Sequence, residues 1–362
     1  MPKSKVTLNE IAKIAGVSAA SVSRVLRNPS QTSAKLQMRV NEVIRDLDIK
    51  YPEMAKPAKK NTKQKRLLVI DNQINIQSLI HYGLEKSARE LGYKLLHLRF
   101  VHFKNQEMRE FVTYISNYNV AGIVILNHAH YIDHLIKFKH MLPPFLLVNH
   151  FILNQPSLYF DNLSIAFKAT QHLVQNGHKK IAIMLGDHNK ISSHHFLTGY
   201  NQALDRGTIA CNSHYILQNC INHDVTSYKF EKLMLQSNPP SALICADNLC
   251  SSYGDNLVEM LRHEEEDDLH DQGQIIHSVV EKARQINVQI PNQLSLLHIG
   301  YAKFFTFNSQ LNFIDTLHKP IYQMGKKAVQ LLHAIIQDDK SVRYSNIMEA
   351  ELLIRNSVLK LN

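Results

Sequence analysis

The sequence lacks the features that mark membrane-spanning, exported or disulfide-bonded proteins. No run of about 18 apolar residues occurs in its 362 residues, so no membrane-spanning helix is predicted. The start, MPKSKVTLNE, has no apolar signal core, and export is therefore not expected. The four cysteines form no CxxC pair, which is typical of reduced thiols. These absences predict a cytoplasmic chain with no membrane partner.

The motifs of common enzymes are also missing. The sequence has no GxGxxG, no P-loop and no recognisable nucleophile–base–acid set. His194, His195 and His298 are candidate bases, but a structural role fits each of them better. His194 and His195 are adjacent and could bind a metal, but none of the other histidines forms a second ligand pair with the spacing of a metal site. We therefore predict no enzymatic activity, no metal and no cofactor.

Positive charge is concentrated at the start of the chain. Residues 1–66 contain 15 lysines and arginines against 5 aspartates and glutamates, which accounts for the whole net charge of +10. The rest of the chain has 26 residues of each sign and is neutral. A basic module on a neutral body suits binding to a phosphate backbone, because each neutralised phosphate releases counterions. The charge distribution therefore favours DNA as a partner, provided that the module folds and is not a solvated tail.

Apolar periodicity predicts that the basic module folds into three helices. A capping box of Thr7 and Glu10 precedes the first helix, and Gly16 supplies a tight turn. Ser18 caps the second helix, and Ser33 starts the third after the break at Asn28-Pro29. This order is that of a helix-turn-helix module. The predicted inward faces are Leu8, Ile11, Ala12 and Ala15, then Val22, Val25 and Leu26, then Leu36, Val40, Val43, Ile44 and Leu47.

The second predicted helix turns small polar side chains and one arginine outward. These residues are Ala19, Ala20, Ser21, Ser23 and Arg24. Small side chains let a helix backbone approach the floor of the major groove, where alanine contacts thymine methyl groups and arginine binds guanine. We therefore expect this face to bind DNA.

Beyond Arg66 the pattern changes to alternating strands and helices. Length alone predicts two or three domains, and continuous apolar runs predict buried parallel strands. Two successive α/β sets of this kind are typical of a two-lobed core with a ligand cleft between the lobes. We expect the chain to cross between lobes near 158–162, 288–300 and 314–320. The predicted strands are 66–70, 94–98, 121–126 and 144–148 in one set and 179–185, 241–245 and 294–299 in the other, with helices near 77–91, 105–118, 130–140 and 249–262.

The stretch VTLNEIAKIAGVSAASVSRVLRN resembles the N-terminal signature of the lactose-repressor (LacI/GalR) family of bacterial transcription regulators. The resemblance continues through DNLSIAFKATQHLVQNGHKKIAIMLG (161–186), TGYNQAL (198–204) and ELLIRNS (351–357). It implies a dimeric repressor that binds a near-palindromic double-stranded operator and responds to a small-molecule effector. A solute-binding protein shares the core but has a signal peptide and no basic module, so it fits less well.

The resemblance also implies the domain organisation. It predicts an α/β fold with a three-helix headpiece and a periplasmic-binding-protein-like core of two lobes with parallel sheets. The predicted domains are the DNA-binding headpiece (1–50), a basic hinge (51–66) and an effector-binding and dimerisation core (67–362), with a first lobe of about 67–160 and 300–318 and a second lobe of about 161–298 and 319–362.

Carried over by residue, the resemblance implies the contacts of the headpiece with DNA. Base contacts are implied for Ala19, Ala20 and Arg24. Leu8 and Val17 complete the predicted interface. Phosphate or base contacts are implied for Thr7, Ser18, Ser21, Ser23, Asn28, Gln31 and Ser33.

The hinge KYPEMAKPAKKNTKQKR (50–66) departs from the family pattern. Related regulators form a short hinge helix whose leucine wedges into the minor groove, but here Ala58 takes that place and Pro57 precedes it. Proline inside a short helix is disfavoured, and alanine is too small to unstack a base step. We expect a mobile basic tether that touches DNA through Lys56 and Ala58, with little kinking. Such a regulator would gain from a second DNA-bound protein partner.

The predicted effector site departs from the family pattern as well. Asn75 and Ile76 replace part of an aromatic pair, and Phe196 replaces an arginine. Ala302 replaces an acid that often binds ligand hydroxyl or amine groups, which makes the usual sugar recognition doubtful. Lys190 and Ser192 stand where an arginine and a serine or threonine hold ligand. The predicted effector-binding residues are Asn75, Ile76, Lys190, Ser192, Phe196, Ile221 and Ala302.

Within the family, NHFILNQPSLYFDNLSIAF and the weak hinge resemble the cytidine-repressor branch, so a nucleoside is the expected effector. A purine- or sugar-responsive regulator, or one controlled by a protein partner without a ligand, is the alternative. An apparent insertion at 262–274 contains five consecutive acids, 264–268. Such a run is typical of a solvated loop, and the alternative is an acidic patch that binds a basic partner or the chain's own headpiece.

Overall fold

A computed structural model describes residues 8–27, 32–46, 65–71, 79–99, 105–126, 132–246, 275–302 and 311–361. They divide between two compact units. The first comprises described parts of Met1–Arg66, His102–Ala121 and His130–Pro144, and the second of Leu67–Val101, Gly122–Ala129 and Phe145–Asn362. In chain order the elements are α1 (Leu8–Ala15), α2 (Ala19–Arg27), α3 (Ala34–Asp46), β1 (Arg66–Asp71), α4 (Leu79–Glu90), β2 (Lys94–Arg99), α5 (Asn105–Asn117), β3 (Val120–Leu126), α6 (Ile132–Lys137), a 3-10 turn (Lys139–Met141), β4 (Phe145–Val148), β5 (Ser157–Phe160), α7 (Asn162–Gln175), β6 (Ile181–Leu185), α8 (Ile191–Arg206), a 3-10 turn (Ser213–Tyr215), β7 (Ile216–Leu217), α9 (His223–Met234), β8 (Ala242–Ala246), α10 (Ile275–Gln285), β9 (Ser295–Gly300), β10 (Asp315–His318), α11 (Ile321–Ile336), β11 (Ser345–Met348) and β12 (Glu351–Leu353).

The three helices predicted for the basic module are present. Gly16 turns the chain between α1 and α2 at φ +61°, a left-handed conformation that favours glycine. The backbone N–H of Val17 donates to the Ala12 carbonyl at 2.9 Å and closes this turn. The three helices enclose a small core of their own, which explains why the module folds despite its charge. Its buried residues are Ile11, Ala12, Ala15, Val22, Val25, Val40 and Val43.

The second unit contains two six-stranded sheets. The first sheet has the order β11-β5-β4-β3-β1-β2 and the second the order β12-β10-β9-β8-β6-β7. Strands β7, β6, β8, β9 and β10 pair in parallel, and β12 adds an antiparallel edge to β10. The α/β architecture with parallel-dominated sheets is therefore confirmed. Every residue of β4, β6, β8, β9 and β10 is buried, as expected for strands of a sheet that is covered on both faces.

Helices α4 and α11 pack with their backbones in close approach at two glycines. A Cβ atom on Gly83 would lie 2.2 Å from the Tyr322 carbonyl oxygen, and one on Gly325 would lie 2.1 Å from the Ile80 carbonyl oxygen. Neither backbone atom can move away cheaply, so only glycine fits at both places.

Two predictions about the lobes were wrong. Residues 300–318 were assigned to the first lobe, but β10 pairs with β9 in the second sheet. Residues 319–362 were assigned to the second lobe, but β11 pairs with β5 in the first sheet, and α11 packs on α4. Apolar runs identify strands without showing which sheet they join, and the C-terminal part of the chain contributes to both sheets.

The predicted crossings between the sheets are partly corrected. The chain leaves the first sheet after Phe160 and the second after His318, as expected. The segment 288–300 is not a crossing, because β9 lies inside the second sheet between β8 and β10. A further crossing lies between β11 and β12. The helix predicted at 249–262 and the acidic insertion at 262–274 lie outside the described residues.

No helix within the described ranges is both long enough and apolar enough to cross a bilayer.

Candidate DNA interface and effector site

The start of α2 is fixed by a serine cap, as predicted. Ser18 Oγ accepts a hydrogen bond of 3.0 Å from the backbone N–H of Ser21, and the two hydroxyl oxygens lie 2.8 Å apart. Ser33 caps α3 in the same manner, since its Oγ accepts from the Leu36 N–H at 3.4 Å. Both caps use short polar side chains to satisfy backbone donors that a helix leaves free at its start.

Side chains on α2 divide between the solvent and the core. Ala20 and Arg24 are exposed, and Ser21 and Ser23 are partly exposed, as expected for a face that meets a partner. Ala19 was predicted to turn outward, but it packs against the three-helix core and is only partly exposed. It lies on the first turn of α2, close to the residues that line this core.

The remaining predicted DNA contacts fall into three groups. Val17 packs against the core and is partly exposed, while Ser18 and Ser33 are exposed. Leu8 is the first residue of α1. Thr7, Asn28, Gln31, Lys56 and Ala58 lie outside the described residues.

The electrostatics of the three-helix module favour an anion. Helix α2 contains no acidic residue, and its N-terminus carries the positive end of the helix dipole. Lys13, Arg24 and Arg39 are exposed cations on three different helices of the module. Backbone N–H groups at a helix start bind phosphate, and an exposed guanidinium binds phosphate or the O6 and N7 atoms of guanine.

The predicted effector residues that the structure describes follow strands of the second sheet. Lys190 is the N-cap of α8 and Ser192 lies on its first turn, after strand β6. Both side chains are partly buried. Ala302 follows β9, so it lies beyond the same carboxyl edge of this parallel sheet. That edge is where ligands bind in open α/β sheets.

Ala302 is buried and linked to the next strand. Its backbone N–H donates to His318 Nδ1 at 3.0 Å, and the neighbouring Tyr301 ring lies 5.3 Å from the His318 ring. Burial raises the pKa of the Tyr301 phenol to about 12, so this hydroxyl stays neutral. Ala302 therefore faces an ordered hydrogen-bonded surface where the family pattern has an acid.

Lys319 is a functional candidate that sequence reasoning missed. It is 5% exposed, and its Nζ donates to Asn162 Oδ1 at 3.0 Å. The same Nζ lies 4.9 Å from the centre of the Phe160 ring and 5.5 Å from that of Phe196. Phe160 is the last residue of β5 in the first sheet, and Phe196 lies on α8, which follows β6 of the second sheet. Lys319 therefore contacts elements of both lobes at a crossing of the chain. The signal in the sequence was a lysine between a buried strand and Pro320.

The structure brings Phe196 and Ala302 close to the same part of the chain. The backbone N–H of Ala302 donates to His318, and the next residue, Lys319, contacts the Phe196 ring. Phe196 is fully buried, so it lines this region as an apolar wall and cannot replace the charge of an arginine. Ile221 follows β7 and is 62% exposed. Asn75 and Ile76 lie outside the described residues.

The chain is similar to known repressors over nearly its whole length. The chain is 26% identical over 354 residues to the HTH-type transcriptional repressor CytR of Escherichia coli strain K12, covering 97% of this chain and 96% of the relative. It is 22% identical over 363 residues to the HTH-type transcriptional repressor PurR of Vibrio vulnificus, covering 98% and 99%. The fold matches a crystal structure of the Lac repressor dimer bound to operator and the anti-inducer ONPF, with a TM-score of 0.62, 17% identity and coverage of 98% and 99%.

Two family models cover most of the chain. Residues 7–50 match the model for bacterial regulatory proteins of the lacI family. Residues 69–258 match the model for periplasmic binding proteins and the sugar binding domain of the LacI family. The resemblance found in the sequence is therefore confirmed at both the headpiece and the core, and it places the chain among regulators and not among enzymes. The chain belongs to the LacI family of bacterial regulatory proteins.

Proposed function

We propose that this chain represses transcription in the cytoplasm by binding a near-palindromic DNA operator as a homodimer. One observation carries the proposal: α2 exposes Ala20 and Arg24, with two partly exposed serines between them, on a module that holds the whole net charge of +10. Such a face fits the major groove, and the surrounding cations bind phosphates without regard to sequence.

Dimerisation is expected because one headpiece makes few contacts with DNA bases. A single short helix reaches few base edges, and a two-fold pair doubles them on a palindromic site. The neutral body, residues 67–362, is the part of the chain that can associate without charge repulsion. The Lac repressor, which shares the fold, is a dimer on its operator.

The proposed effector is small and neutral or anionic, such as a nucleoside. Lys190 and Lys319 contribute two cations on the effector side of the second sheet, and Ala302 removes an acid that would favour a cationic ligand. The resemblance to the cytidine-repressor branch, together with the similarity to the repressor CytR, favours a nucleoside, and a purine or a sugar is the alternative. Control by a protein partner without any ligand is the alternative. Effector and operator affinities would change together, because coupling between two sites is reciprocal.

The decisive experiment replaces Arg24 by alanine. Loss of a bidentate guanine contact is expected to weaken operator binding by about 1–3 kcal/mol, which is roughly 5- to 150-fold. Binding to random DNA should change far less. Both affinities are measured by fluorescence anisotropy of labelled duplexes at one fixed salt concentration, since phosphate contacts depend on salt.

Lys13→Ala is the matched control, because it removes one exposed positive charge from α1 of the same module. It should weaken binding to the operator and to random DNA modestly and by the same factor. If Arg24→Ala also weakened binding to both duplexes by the same factor, the base-reading role of Arg24 would be refuted.

A further inference from the structure

Two adjacent helices of the second lobe bring two histidines and a glutamate together on the protein surface. His223 is the first residue of α9, and His277 and Glu281 lie one turn apart on the same face of α10. His223 Nε2 lies 3.7 Å from Glu281 Oε2, and His277 Nδ1 lies 3.9 Å from the same oxygen. One donor atom from each residue lies within 4.8 Å of the other two.

We propose that His223, His277 and Glu281 form a binding site for a Zn²⁺-like divalent transition metal. Two imidazoles and one carboxylate are a ligand set that Zn²⁺ takes in proteins, usually with water in a fourth position. Metal–nitrogen bonds of about 2.0–2.1 Å place tetrahedral ligands about 3.4 Å apart. Side-chain rotations that bring the donor atoms closer by about 0.3 to 1.4 Å would therefore close the site.

The ligand types select the metal. Imidazole nitrogens favour zinc, copper, nickel and iron over Mg²⁺ and Ca²⁺, which prefer oxygen-only ligands. The single glutamate offsets one of the two positive charges of the ion. The three side chains are 29% to 45% exposed, so water reaches the open positions and the ion has an entry path.

The two helices supply a rigid support for the site. On their other faces, α9 buries Phe230 and Leu233, and α10 buries Ile276 and Val279 in one shared core. The first turn of α9 is fixed by Asn222, whose Oδ1 accepts from the Val225 N–H at 2.9 Å. A metal ion would therefore cross-link two helices that already pack together, at little cost in ordering.

The site differs in its residues from the proposed DNA and effector sites. It contains none of the residues predicted for either, and all three ligands lie on the α9–α10 pair. The spacing of the histidines predicted no metal site, because His223 is far from His277 along the chain and the HxxxE spacing alone is common.

The test titrates the metal-free full-length protein with Zn²⁺ in competition with a chromophoric chelator. The wild type is expected to bind one Zn²⁺ per chain in the micromolar range or tighter. His277→Ala and Glu281→Gln should each weaken this site at least tenfold. Co²⁺ in place of Zn²⁺ should give visible d–d absorption in the wild type that both variants lose.

Glu231→Gln is the matched control. Glu231 pairs with Lys282 at 3.7 Å across the same two helices but outside the triad, so its loss should leave Zn²⁺ binding unchanged. His214→Ala, an exposed histidine elsewhere in the lobe, controls for adventitious binding by the many histidines.

Folding of each variant is checked by circular dichroism, and the conservative Glu281→Gln keeps the test available if a histidine variant unfolds. Zn²⁺ should also raise the midpoint of thermal unfolding in the wild type and not in Glu281→Gln, because a ligand of the folded state stabilises it. Failure to bind Zn²⁺ up to millimolar concentration, or equal binding by the wild type and Glu281→Gln, would overturn the proposal.

Discussion

At the scale of single residues, Lys319 is a buried cation held by an amide oxygen and two aromatic rings. Lys319→Met keeps the aliphatic stem and removes the ammonium group, which leaves Asn162 Oδ1 without the donor at 3.0 Å. We expect the free energy of unfolding to fall by about 1–3 kcal/mol, because hydrogen bonds from charged groups are worth about this much when buried. Chemical denaturation measures the change.

Lys326→Met is the control for Lys319→Met. Lys326 pairs with Glu90 at 3.9 Å with both side chains partly exposed, so its loss should cost well under about 1 kcal/mol. Unchanged or higher stability of Lys319→Met would show that the desolvation penalty of the buried ammonium group equals or exceeds the stabilisation from its contacts.

Sequence reasoning succeeded for single residues whose role depends on near neighbours. The caps at Ser18 and Ser33 were predicted because a capping serine bonds a backbone N–H three residues ahead. Lys319 was missed because its partners, Phe160, Asn162 and Phe196, are more than a hundred residues away in the sequence. The outward face of α2 was predicted except at Ala19, where the start of the helix turns the side chain toward the core.

At the scale of elements, α4 buries a histidine against strands β1 and β2. His81 is 4% exposed, its ring lies 5.6 Å from the His97 ring, and its Nε2 lies 3.5 Å from Asp71 Oδ2. Burial and the neighbouring His97 lower the pKa of His81 from 6.5 to about 4, despite the nearby carboxylate. The folded protein therefore keeps His81 neutral in a pH range where the unfolded chain protonates it.

The lowered pKa of His81 predicts a loss of stability in acid. Well above pH 6.5 neither state binds the proton, and the contribution of His81 to stability is fully present. As the pH falls from about 6.5 to about 4, the unfolded chain binds more protons, and the free energy of unfolding falls by about 3 kcal/mol. Urea denaturation at a series of pH values measures the slope.

His81→Gln isolates the contribution of His81, because an amide does not titrate in this range. The variant should be less stable at neutral pH and should show a shallower decline between pH 6.5 and 4 than the wild type. His214→Gln, at an exposed position, should leave the wild-type slope unchanged. Parallel curves for the wild type and His81→Gln would contradict a neutral buried His81.

The elements themselves were largely predictable, and their assembly was less so. Strands such as β1, β3 and β6 were predicted because strands buried on both faces are continuous apolar runs. The sheet membership of β10 and β11 was not, because DTLH and SNIM are not apolar runs and their pairing depends on hydrogen bonds to distant strands. The His223, His277 and Glu281 cluster was missed for the same reason, since it depends on the packing of α9 against α10.

At the scale of the whole molecule, charge divides the chain into a DNA-binding part and a body. The net charge of +10 lies within residues 1–66, so the affinity for DNA should depend strongly on salt while the body contributes little to it. This division was predictable from the sequence, because counting charge requires no knowledge of packing. What it leaves open is how firmly the linker 51–66 sets the distance between two headpieces in a dimer.

The composition of that linker predicts tolerance of several operator spacings. Pro57 removes a backbone donor and disfavours a short hinge helix by about 3 kcal/mol, and the methyl group of Ala58 is too small to wedge a base step apart. We expect operators whose half-sites are moved apart by one to several base pairs to bind with affinities that differ by less than about tenfold, or about 1.4 kcal/mol. Anisotropy titrations on a spacing series measure this, and Ala58→Leu is the informative variant, because its larger side chain should restore a preference for one spacing. A steep loss of wild-type affinity at every spacing but one would mean that a rigid hinge fixes the distance between the half-sites. The second DNA-bound protein partner, which was inferred from a weak hinge, would then be unnecessary.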